Sequence, residues 1–130
     1  MNLDRIYESV LYAPDLAAVK QFYGAVLDLE PVSETNLMLA FRCGEDMLLI
    51  FDPARSALPD REVPSHGAAG SGHLAFAVDE DQLAAWRNRL QEHGVDIEPE
   101  LEWSSGARSL YFRDPAGNSL ELAVPAVWGN

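Results

Sequence analysis

The chain has 130 residues, 48% of them hydrophobic, and a formal net charge of −12. That length suits one compact domain with a real core. No run approaches the roughly 18 apolar residues of a membrane span, and the charge disfavours nucleic acid or an anionic membrane surface as a partner. With the single cysteine Cys43 no intrachain disulfide can form, and MNLDRIYESV lacks the long apolar run of a signal peptide, so the expected location is the cytoplasm.

In chain order, IYESVLY (Ile6–Tyr12) reads as a strand and Asp15 as the N-cap of a helix, LAAVKQFYGAVL, with Leu16, Val19, Phe22, Tyr23, Val26 and Leu27 at helical spacing. LEPVSE is extended. NLMLAFRC and MLLIFDP, separated by Gly44-Glu45-Asp46, form a hairpin. Pro53–Gly72 is a long Pro/Gly/Ser/Ala-rich connection, a linker or a functional loop. The pattern then restarts. HLAFAVD is a strand, EDQLAAWRNRLQEHG a helix closed by His93 and Gly94, VDIEPE extended, and ARSLYFRD with NSLELAV a second hairpin around Asp114-Pro115-Ala116-Gly117-Asn118.

The succession strand–helix–strand–strand–strand therefore occurs twice, over about 1–58 and 72–130, within a single domain. Laid on each other, the halves set Glu8 opposite His73 and LAFRC opposite LYFRD, with Arg42 opposite Arg113. This repetition implies a structural role for the two arginines, pairing with the turn acids Asp46 and Asp114. One residue breaks the pattern: Glu121 lies between Leu120 and Leu122 in an apolar strand, where a carboxylate must face water, a cation or a ligand.

ESVLYAPDLAAVKQFYGAVLDLE, GHLAFAVD, HGV and LYFRDPAGNSLEL resemble the vicinal oxygen chelate superfamily, which includes glyoxalase I, bleomycin resistance proteins, fosfomycin resistance enzymes and extradiol dioxygenases. The resemblance implies an α+β fold of two βαβββ modules forming a curled mixed sheet around a cup-shaped cavity, and a homodimer. Carried over residue by residue, the family's metal-ligand positions fall on Glu8, His73 and Glu121; a fourth falls near Leu48, which cannot bind metal. That departure disfavours four-ligand glyoxalase I chemistry, and Glu8 departs from the two-histidine sets of the fosfomycin and dioxygenase branches.

One nitrogen and two carboxylate donors suit a divalent cation of intermediate hardness: Mn, Fe(II), Ni, Co or Zn. Such an ion, chelated by a substrate's adjacent oxygens, would support lyase, isomerase or dioxygenase chemistry. Ser109, Tyr111 and Arg113 are candidate substrate-binding residues, and His66 and Tyr111 candidates for acid–base work. Trp103, Phe41 and Phe51 read as core or cavity wall, and Trp128 as a cavity closure or dimer contact. Cys43 has no basic neighbour in sequence and is not nominated as a nucleophile. The rival reading is a non-catalytic, bleomycin-resistance-like protein that sequesters a small cationic ligand, which the acidic charge favours.

Overall fold

In the first repeat, β1 (Glu8–Tyr12) leads to α1 (Leu16–Gln21), followed by β2 (Glu30–Glu34), β3 (Met38–Cys43) and β4 (Asp46–Phe51). The computed structural model describes residues 1–129. Asp15 caps α1 as its sequence requires, accepting from the Ala18 N–H at 3.1 Å. The helix does not run on regularly to Leu27. Phe22–Val26 forms a π-type turn, and Asp28 at φ 58° ends it. The wider turn buries Phe22, Tyr23 and Val26 together, with Tyr23 5.7 Å ring to ring from Phe41.

The four strands are ordered β1-β4-β3-β2, with β1 parallel to β4 and the other pairs antiparallel. The first-repeat hairpin turns through Gly44, whose φ of +62° is open to glycine at little steric cost. One sheet face carries the buried Leu11, Leu39, Phe41, Leu48 and Ile50, a period-two consequence of alternating side chains.

The connection to the second repeat is not a bare linker. It opens with the short helix α2 (Pro53–Ser56), capped by Asp52. It then folds back: His66 N–H and Arg61 Nη1 both donate to the Ser56 carbonyl, at 3.0 and 2.9 Å. The His66 ring closes the loop, its Nδ1 2.7 Å from Tyr12 Oη and its edge on Phe51.

The second repeat comprises β5 (His73–Ala77), a 3-10 turn at Glu80–Gln82, α3 (Leu83–Glu92), β6 (Leu101–Glu102), β7 (Arg108–Arg113) and β8 (Ser119–Ala123), in sheet order β5-β8-β7-β6. The extended stretch expected over VDIEPE is reduced to an Ile97–Phe112 bridge and a Glu98 N–H bond to the Tyr111 carbonyl. Pro99 lacks an N–H for the ladder, and pairing resumes only at Leu101. His93 is the C-cap of α3 and Gly94 follows at φ +72°. Leu83, Leu90, Leu110, Phe112, Leu120 and Leu122 are among its buried residues, each worth about 1.5–3 kcal/mol of transfer free energy. The chain divides into two compact units, Met1–Gly70 and Ser71–Asn130, which carry one repeat each.

Candidate metal centre

The second repeat's other sheet face is built around Glu121. In register, β8 sets Glu121 beside Ala75 of β5 and Tyr111 of β7. Ala75, Ala77 and Ala123 are small, which leaves the larger polar side chains room on this face. Glu121 is 6% exposed, and its Oε2 accepts the Ser109 hydroxyl proton at 2.7 Å. Its Oε1 lies 3.4 Å from His73 Nε2.

The tautomer of His73 follows from its other nitrogen. Nδ1 is 3.0 Å from the Ser119 carbonyl, an acceptor only, so Nδ1 carries the hydrogen. With Nδ1 so engaged, Nε2 is the nitrogen turned to the carboxylate: it offers a lone pair when the ring is neutral and an N–H when it is protonated. A proton on Nε2 makes the contact an ion pair; with the ring neutral, the two facing acceptors are an arrangement that a bound cation would satisfy. The geometry fits: donors about 2.1 Å from a metal at a tetrahedral angle lie about 3.4 Å apart. The histidine is also held as metal-ligating histidines are, with its far N–H on a backbone carbonyl.

Tyr111 completes the face. Its ring lies near-parallel to that of His73, centroids 6.3 Å apart. Burial, then the negative charge of Glu121, pushes its phenol up, with hydrogen bonding to Glu121 adding to this and to Ser109 opposing it. The group therefore stays a neutral donor.

The turn Asp114–Asn118 sets where β5 begins. Asp114 Oδ1 accepts from the Ala116 and Asn118 N–H groups, and Oδ2 from Asn118 Nδ2, all at 2.9 Å. Asn118 Oδ1 in turn accepts from the N–H of Gly72, the residue before His73, at 2.7 Å. So Asp114 does not pair with Arg113 as the sequence led us to expect. Arg113 binds Glu98 at 2.9 Å and the Gly117 carbonyl at 3.0 Å, and Arg42 faces Glu30 at 3.9 Å. The repeated arginine role holds, but its partner is an acid nearby in the fold, because the turn carboxylate is consumed by backbone N–H groups. Asp46 likewise pairs with Arg5, at 2.5 Å.

Glu8 is exposed at the start of β1, in the first unit. Its correspondence with His73 is upheld: each opens the strand that runs parallel to the last strand of its sheet. The counterpart of Glu121 is Leu49, paired with Val10 and Ala40, rather than Leu48. The one-residue shift arises because the two hairpin turns differ in length, and sequence alignment through them loses register. Leu49 belongs to an apolar cluster with Ala40 and Phe51, against which Tyr12, Leu37, Met38 and Met47 pack. Among the described residues no three His, Cys, Asp or Glu side chains converge on one point.

Other candidates fall as follows. Ser109 is fully buried and spends its proton on Glu121. His66 serves the first unit's loop. Trp128 is 88% exposed, and Phe41 and Phe51 are core. Burial, then Asp46, pushes the Cys43 thiol up, which suits its exclusion as a nucleophile. Trp103, read as core or wall, is instead a hydrogen-bond donor to Ser109 at 3.0 Å. No motif announces that contact, because it depends on the curl of a hairpin.

The family model for the Glyoxalase/Bleomycin resistance protein/Dioxygenase superfamily matches residues 5–122. The chain belongs to this superfamily. Among solved structures of the superfamily's fold, a lactoylglutathione lyase from Agrobacterium tumefaciens superimposes with a TM-score of 0.96, at 38% identity and full coverage of both chains. The glutathione transferase FosA of Serratia marcescens is 32% identical over 126 residues, 96% of this chain and 84% of FosA. The metallothiol transferase FosB of Shouchella clausii is 44% identical over 52 residues, 38% of this chain, and that match spans only 36% of FosB. These relatives are enzymes by name. No helix is long and apolar enough to cross a membrane among the described residues.

Proposed function

We propose that the chain is a metal-dependent enzyme of the superfamily acting on a small oxygenated substrate, with His73, Glu121 and Glu8 as protein donors. The observation that supports it most is the approach of His73 Nε2 to Glu121 Oε1 at 3.4 Å, with Nδ1 held on the Ser119 carbonyl. Glu8, exposed at the start of β1, is the third donor in the assembled protein, a homodimer. The donor set suits Mn, Fe(II), Co, Ni or Zn, and a bound ion of this kind supplies Lewis-acid polarisation of a substrate's adjacent oxygens.

The chain's own residues do the rest. Ser109 keeps one carboxylate oxygen of Glu121 occupied, and Ser119 holds the His73 ring in place. Tyr111, kept neutral by burial and by Glu121, directs its single phenol proton to Glu121 and so helps fix that carboxylate on the site face. Leu49 at the counterpart of Glu121 leaves three protein donors, which disfavours four-donor glyoxalase I chemistry. A lyase or thiol-transfer reaction is the class to assay first. Glutathione is the co-substrate to try, because the relatives with the widest coverage carry it in their names.

Metal analysis of protein purified without chelator tests the reading. One divalent ion per chain, lost in His73→Ala and Glu121→Gln, is the expected result; wild type devoid of stoichiometric metal sinks it. The acidic charge of −12 favours one rival, a non-catalytic binder of cationic drugs. Tight binding of such a drug by metal-free protein would establish that rival.

A further inference from the structure

Glu121 has two carboxylate oxygens, and the bonds behind it decide which one faces His73. The Trp103 indole N–H is a donor only and is given to Ser109 Oγ at 3.0 Å. That bond occupies a lone pair of the hydroxyl. The hydroxyl's single proton is then directed to Glu121 Oε2 at 2.7 Å, which leaves Oε1 toward His73. Ser109 is fully buried and Glu121 6% exposed, so solvent has little access to this chain of bonds. Trp103 itself is fixed. Its N–H donates to the Ala107 carbonyl and its carbonyl accepts from Gly106 N–H, both at 2.8 Å, across a turn that Gly106 closes at φ +84°.

We infer that Trp103, acting through Ser109, is a positioning residue for Glu121: it sets the direction of the serine proton and so selects the carboxylate oxygen offered to a cation. The inference rests on the metal reading above for its purpose, but not for its existence. Loss of a partner behind a metal ligand typically lowers metal affinity 10–100-fold.

The test uses the full chain, titrated with Mn²⁺. Trp103→Phe keeps the ring and removes the N–H, at a site 37% exposed where the fold tolerates it. Trp103→Phe and Ser109→Ala should each weaken Mn²⁺ binding about 10-fold. Ser109→Thr should restore it, and the double variant should be no weaker than either single one. A merely packing role predicts instead that Trp103→Phe binds like wild type, and that result overturns the inference.

The Trp103 indole proton resonance, read by NMR without metal, separates the two readings. It should move on Ser109→Ala and on Glu121→Gln, and Glu121→Gln should have no effect once Ser109 is alanine. That pattern in a wild type that binds no metal would sink the metal reading while supporting the positioning of the carboxylate. A resonance indifferent to both substitutions overturns the relay, whatever the metal does.

Discussion

Glu121 and Leu49 occupy the same rung of the two repeated sheets. Each lies beside the third residue of its parallel neighbour, Ala75 or Val10, and opposite the matched position of its antiparallel neighbour, Tyr111 or Ala40. One rung became a polar donor site and the other an apolar cluster on an otherwise common frame. The frame is specified by the alternate face of each strand, which packs the core, so this face was free to diverge.

Glu8 tests the proposed donor set without disturbing the fold. It is exposed, and surface substitutions of this kind usually change stability by less than about 0.5 kcal/mol. Glu8→Gln should therefore leave the denaturant midpoint in place and weaken metal binding by roughly 10-fold or more, the scale at which even outer partners act. Metal affinity equal to wild type removes Glu8 from the set.

The buried turn should behave as structure that supports the site. Asp114→Ala leaves the N–H groups of Ala116 and Asn118 and the Asn118 amide without their acceptor. Ala116 is exposed, but the Asn118 groups are buried, and each buried group left unsatisfied costs about 1–3 kcal/mol. Urea unfolding should show a loss of at least about 2 kcal/mol. Asn118→Ala should also loosen the Gly72 N–H, read as faster hydrogen exchange at Gly72. Unchanged exchange would show that the turn does not hold the start of β5.

Tyr111 gives a pH signature. Its phenol is raised above the ordinary value of about 10 by burial first and by Glu121 second. The sign follows: folding favours the protonated form, so this contribution to stability is present below pH ~10 and is lost as pH rises through the folded-state value. Absorbance titration should lose one late step in Tyr111→Phe, the fully buried Tyr23 remaining. Glu121→Gln should bring that step part of the way down, burial remaining. A step that ignores Glu121→Gln contradicts the charge contribution.

Ser56 offers a gain. Its Oγ is fully buried and unpartnered, while its carbonyl serves His66 and Arg61. Ser56→Ala removes the unpaired hydroxyl and leaves the carbonyl bonds alone. Stability should rise by about 1 kcal/mol, read as a higher midpoint in thermal unfolding. A fall would mean that the hydroxyl has a partner in solution.

Much of this was legible in the chain because it is local. Hydrophobic periodicity of two and 3.6, the Asp15 cap, and the glycines at Gly44 and Gly94 are properties of short segments, and their recurrence exposed the duplication. Glu121 stood out because a carboxylate amid leucines has no cheap place to go. The repeat also supplied His73 as its counterpart to Glu8. What the tertiary structure alone decided was register and pairing: Leu49 rather than Leu48 on the rung of Glu121, Glu98 rather than Asp114 as the partner of Arg113, and Trp103 behind Ser109. These contacts join residues across strands and turns of unequal length, where one residue of slip reverses the face a side chain presents, and no short stretch of sequence carries that information.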